Sequence, residues 1–151
     1  MILRWLPVIV ILIIIYCLSS IPNLHLINEQ AIPWWLKQYI SQYTYKIGQD
    51  GFFSYMISLN PDFILHKIGH VTVFGTLGMA LYIATKKSWI WAVLLSAVAG
   101  MSDELHQYFI PGRSCRFGDV VLDTLAALVF ILVLRKMSVR DHEKENSHYR
   151  D

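Results

Sequence analysis

Four apolar blocks, rather than any amphipathic period, limit what this chain of 151 residues can fold into. Residues 2–18 are interrupted only by Arg4 and Pro7, residues 68–85 carry one ionisable group, His70, residues 89–101 carry none, and residues 120–134 carry only Asp123. With a flanking turn each, the blocks reach the roughly 20 residues that cross a bilayer core. The sequence therefore predicts an all-α, polytopic membrane protein. Its expected form is a bundle of four transmembrane helices over about residues 3–20, 64–85, 88–108 and 118–135. Residues 1–136 make one transmembrane domain, and 137–151, polar and mixed in charge, make a cytoplasmic tail expected to be disordered.

The charges sort by side. Arg4, Lys86, Lys87, Arg135, Lys136 and Arg140 fall together if four spans alternate, and the positive-inside rule puts that side in the cytoplasm with both termini. A net charge of +2 is too small to point to nucleic acid, so the implied partner is the lipid bilayer itself. The first block is expected to stay as a helix rather than be cleaved as a signal peptide. Its basic region is Arg4 alone, its apolar stretch is long, and no small-x-small site follows cleanly. Cys17, near the outer end of the first helix, and Cys115, in an outer loop, carry little information, although a disulfide between them is geometrically conceivable.

The long first outer loop, residues 19–64, opens on a helix stop at Ser19-Ser20-Ile21-Pro22-Asn23. Pro33 can begin a new helix, along which Trp34, Trp35, Tyr39 and Tyr43 recur near helical spacing. Rings of this kind favour the headgroup layer, which predicts an interfacial helix on the outer leaflet; a helix capping the bundle is the other reading. Residues 48–51 break the chain, and 52–59 form a second short surface segment. Asn60-Pro61-Asp62 is a start signal for the second span. Lys86-Lys87-Ser88 makes a tight hairpin between antiparallel neighbours, and Gly75 and Gly78, with Thr72 and Thr76, permit close helix approach.

Three spans deliver polar chemistry to the same outer boundary. The second offers His66, Lys67 and His70, with the histidines stacked at four-residue spacing and Asp62 one turn before them. The third ends in Asp103, His106 and Gln107 within an arc of about 100°, with Glu104 on its flank. The fourth offers Asp119 and Asp123, again four apart. Such groups beside hydrocarbon are costly and usually mark a site. A divalent cation gathered by His66, His70, Asp103, His106, Asp119 and Asp123 would hold them there. So would a hydrogen-bonded network with Lys67 and Arg113 around a polar cavity, with or without a ligand. Arg113 follows the sharp turn at Pro111-Gly112 and, with Arg116, suits phosphate at headgroup level. It equally suits an interfacial anchor or an ion pair with Asp103, Glu104 or Asp119.

The run Ser102-Asp103-Glu104-Leu105-His106-Gln107-Tyr108-Phe109-Ile110-Pro111-Gly112-Arg113 resembles the signature of the VanZ-like family of bacterial membrane proteins. So do Gly118-Asp119-Val120-Val121-Leu122-Asp123-Thr124 with the pair Ala126-Ala127, the second-span run His66-Lys67-Ile68-Gly69-His70 before Phe74, Leu77 and Gly78, and the opening Leu18-Ser19-Ser20-Ile21-Pro22. The chain departs from the family pattern at Val73 and Phe74, where many members carry an acid and a tyrosine, and at Ala126-Ala127, where glycine is common. The resemblance implies a bacterial cell-membrane protein. The family's founding member is associated with resistance to teicoplanin, which acts on peptidoglycan precursors outside the cell.

Two readings follow. In the leading one, an outer-leaflet polar site acts on a cell-envelope lipid or glycopolymer headgroup, such as a lipid-linked cell-wall precursor. Asp103, Glu104 and His106 are the candidate catalytic groups, and Lys67, Gln107, Arg113 and Arg116 the candidate substrate-binding ones. The alternative is a metal-dependent membrane hydrolase or transferase of a lipid-linked substrate, with Glu104 as general base. An ion pathway fares worse, because the cytoplasmic halves of the spans are apolar.

Overall fold

The computed structural model describes residues 2–27, 32–48 and 52–148, with side chains from Leu3 to Arg140. A 3-10 turn at Ile2–Arg4 leads into helix α1 (Leu6–Ser19), which starts at Pro7 in its first turn. Helix α2 (Trp34–Gln42) follows Pro33, and its rings stand out from the protein, with Trp34 76 % exposed. Two three-residue strands, β1 (Tyr45–Ile47) and β2 (Tyr55–Ile57), then pair antiparallel, with Lys46 opposite Met56. This hairpin corrects the all-α expectation. Strands of three residues are too short for an alternation to show in sequence.

Helix α3 (Pro61–Ala84) begins as Asn60-Pro61-Asp62 predicts: the Asn60 side chain accepts the Asp62 N–H at 2.9 Å. Lys86 and Lys87, both at positive φ, turn the chain into α4 (Trp89–Tyr108). Helix α5 (Phe117–His148) continues through the segment expected as a disordered tail. Residues 135–148 contain neither glycine nor proline and are rich in Lys, Arg and Glu, so nothing stops the helix. Residues 149–151 lie outside the described part.

Helix α3 is the hub. It packs most extensively on α5, then on α4 and α1. Phe74, Leu77 and Leu81 of α3, Val8 and Ile15 of α1, Ala92 of α4 and Ile131 of α5 share one buried cluster. Around it the surface is apolar: Leu6, Ile9, Val10 and Ile13 of α1, Leu94 and Val98 of α4, and Leu125, Val129 and Leu132 of α5 are all exposed. By length and composition α3 and the part Phe117–Arg140 of α5 can cross a membrane, while α1 is a shorter apolar helix.

The α3–α5 seam depends on a missing side chain. A Cβ on Gly78 would lie 2.8 Å from the Cα of Ala127, and one on Gly75 would lie 2.7 Å from the Phe130 ring. The two threonines expected to share this seam face outward and bond their own helix, Thr72 to the Ile68 carbonyl and Thr76 to that of Thr72. Gly78→Ala should force the helices apart and cost about 1–3 kcal/mol. Gly69→Ala, where an added Cβ meets nothing within 4 Å, should be neutral or stabilising by up to ~1 kcal/mol. Denaturant titration of the two variants in detergent checks the contrast.

Candidate functional site

At one end of the bundle, α3, α4 and α5 bring their polar groups together. Asp103 and Glu104 of α4 and Asp123 of α5 are buried, the last two completely. The stripe Ala92, Ser96, Gly100 and Glu104, at four-residue spacing, turns the small face of α4 into the bundle and carries Glu104 with it. Glu104, read from the sequence as flanking, is thus the most enclosed group of the run. One of its oxygens, Oε2, accepts the Arg116 N–H at 2.7 Å; Oε1 is buried with no hydrogen-bond partner. An unsatisfied buried oxygen costs on the order of 1–3 kcal/mol, and more when charged.

Each neighbouring group is fixed by a partner from another segment. The His70 Nδ1–H donates to Asp123, at 3.1 Å and 3.2 Å to its two oxygens, and the His70 ring stacks on Phe74. Asp103 accepts from Gln107 Nε2 at 2.8 Å and from the Ser19 hydroxyl of α1. Lys67 pairs with Asp119 and lies over the Phe63 ring. His70, Asp103 and Glu104 form a tight group, each offering one ligand atom within 4.8 Å of the others.

Four of the six residues expected as metal ligands lie outside that group. His66 bonds the Leu24 carbonyl at 2.9 Å and approaches Asp62 at 3.8 Å. His106 turns toward α1, where it shares a 3.0 Å hydrogen bond with the Ser20 hydroxyl and stacks on Tyr16. Asp119 is held by Lys67, and Asp123 stands behind His70. A helix wheel places His106 beside Asp103 and Gln107, but it cannot say that α1 lies on that side.

Beside His70 and Gln107 opens a polar cleft of about 420 Å³. His66, Lys67, His70, Gln107, Arg113, Arg116 and Asp119 line it, together with the first loop. Among the described residues, neither the Arg113 nor the Arg116 side chain forms an ion pair. The ion pair considered for Arg113 with Asp103, Glu104 or Asp119 does not form. An apolar groove of about 200 Å³ between α1 and α3 meets the cleft at His66, His70 and Arg113. A second groove, about 490 Å³, runs between α1 and α4 and ends at Asp103 and His106.

Four residues have roles that escape a sequence reading. Ser19 and Ser20 read as a helix stop, yet their hydroxyls tie α1 to α4. Asp62 reads as a helix-start acid, yet it anchors the first loop by accepting from Leu26 N–H at 2.6 Å, Ile27 N–H at 2.9 Å and His25 Nδ1 at 3.3 Å. Asn23, at positive φ, seats on Gly112 and donates to the Pro111 carbonyl at 3.2 Å; any side chain at Gly112 would collide with it. Both cysteines are free. Burial, followed by the negative charges of Glu104 and Asp119, holds the Cys115 thiol above its ordinary pKa.

A family model described as VanZ/LLP1 matches residues 5–138. The chain belongs to the VanZ-like family. No curated protein and no solved structure matches it. The VanZ-like region thus takes in α1, α3, α4, α5 as far as residue 138, and every residue lining the cleft.

Asp62→Ala should release the first loop from α3. Three hydrogen bonds to one carboxylate are lost, at a cost of about 2–3 kcal/mol. Limited proteolysis in detergent should show faster cleavage between residues 23 and 33 while the helical circular dichroism persists.

Proposed function

We propose that this VanZ-like protein is a multi-pass protein of the bacterial cell membrane whose outer-leaflet cleft binds, and acts on, the anionic headgroup of a cell-envelope lipid or lipid-linked polymer. In this reading α1 with its preceding 3-10 turn, α3, α4 and α5 all cross the bilayer; the 20 residues of α4 reach about 30 Å. The positive-inside rule puts both termini and the Lys86-Lys87 hairpin in the cytoplasm, and hence the cleft outside. Helix α2, with its exposed tryptophans, lies in the outer headgroup layer.

One observation carries the proposal: a cleft holding two guanidiniums without an ion pair among the described residues shares His66, His70 and Arg113 with an apolar groove. Planar guanidinium donors suit phosphate oxygens, and a groove lined by Ile15, Leu18, Leu65 and Val73 suits an acyl or prenyl chain. The two meet at Arg113, so an amphiphile can occupy both at once. The implied physiological outcome is tolerance of teicoplanin-type lipoglycopeptides, whose targets lie on the same side.

Arg113→Ala and Arg116→Ala should each weaken binding of a phosphate-headgroup lipid at least tenfold, read by native mass spectrometry of the purified protein. In cells, Asp103→Ala, His106→Ala or Arg113→Ala should abolish teicoplanin tolerance at normal membrane levels. Full tolerance in all three variants would remove the reading. Topology has its own check. In intact cells a membrane-impermeant maleimide should label Cys115 but not a cysteine placed at Ser88 in a Cys115→Ser background. Because the Cys115 thiol is held above its usual pKa, its labelling should be slow at neutral pH and speed up as pH rises.

A further inference from the structure

Asp103, Glu104 and Asp123 are buried carboxylates, and His70 is the imidazole among them. Among the described residues, no lysine or arginine forms an ion pair with any of the three; Lys67 is committed to Asp119. Buried negative charge without a counterion is unfavourable; a proton relieves it, and so does a bound metal cation where several ligand atoms converge.

We propose that His70, Asp103 and Glu104 bind one divalent cation of the zinc or manganese type between α3 and α4, where His70 borders the cleft. Their ligand atoms lie within 4.8 Å of one another, and closing on a cation at about 2.1 Å requires side-chain torsions to draw them together. Glu104 Oε1 is buried and unpartnered, as a reserved ligand position must be. Every ligand is also held from behind. The Asp123 carboxylate takes the His70 Nδ1–H, which leaves Nε2 with its lone pair, the carboxylate–histidine–metal relation of many metal sites. Ser19 and Gln107 fix Asp103, and the Arg116 N–H fixes Glu104. One nitrogen with two carboxylate oxygens suits a borderline cation better than calcium, which prefers an all-oxygen shell. Three protein ligands leave a coordination position that a water molecule can fill. The site does not depend on which lipid the cleft accepts.

The test uses the full chain in nanodiscs, stripped with chelator and then titrated with Zn2+ against a chromophoric competitor. One Zn2+ should bind per chain. His70→Gln, Asp103→Asn and Glu104→Gln should each weaken it at least 100-fold. Asp123→Asn, acting through the imidazole, should weaken it about 10- to 100-fold. His66→Gln, in the same cleft but outside the group, should bind within about twofold of the wild type. Zinc should raise the thermal midpoint of the wild type but not of Glu104→Gln. Should a variant fail to fold, wild-type protein loaded with Mn2+ still decides the matter, because electron spin-echo modulation must show one coordinated imidazole nitrogen. No stoichiometric cation, no imidazole signal, or equal affinity in Glu104→Gln overturns the proposal.

Discussion

Three carboxylates, Asp103, Glu104 and Asp123, share the junction of three helices at 6 %, 0 % and 0 % exposure, and the cost of keeping them there organises the cleft end of the molecule. Asp123 is met by His70 across the α3–α5 seam, and that seam is close because Gly78 carries no side chain against Ala127. Asp103 draws α1 to the bundle through Ser19. Glu104 fixes the loop before α5 through the Arg116 N–H, which sets the Arg116 side chain at the cleft. Helix packing and site chemistry are therefore one problem: the polar contacts that satisfy the acids are also the contacts that fasten the helices.

The first loop serves the same end. It leaves α1, seats Asn23 on the Pro111-Gly112 turn, and is pinned by Asp62 at the start of α3. Further along, the hairpin of β1 and β2 docks at the start of α5, where the Phe117 N–H donates to the Phe52 carbonyl at 2.7 Å and Phe52, Phe53 and Phe117 cluster. The loop thereby walls the cleft on the side away from the bundle, and His25, Thr44 and Met56 reach its lining.

Much of this was legible in the sequence, for reasons that can be named. Apolar blocks of near-spanning length announce helices, and Asn60, Pro33 and the Lys86-Lys87 hairpin mark their ends within a turn or two. The convergence of His70, Asp103 and Asp123 follows from three helices delivering polar groups to one depth. Rotation about each helix axis was not legible. It is set by packing, which sent His106 to α1 and Glu104 to the centre, although the Ala92-Ser96-Gly100 stripe pointed toward Glu104. Hydroxyls such as Ser19 and Ser20 carry no charge, so nothing in the sequence separates a helix stop from an interhelical tie. The helix beyond residue 136 shows that polar composition alone does not end a helix that lacks a breaker.

Helix α1 is fastened unevenly. Its C-terminal end is clasped by two serine hydroxyls, on Asp103 and His106, whereas along its shaft it meets the bundle mainly through Val8 and Ile15. An apolar groove runs down each side of it, and Ile15 and Asp103 border both. Helix α1 is accordingly a partition between two grooves, latched by hydroxyls at the end where they converge and by buried aliphatic side chains along its length.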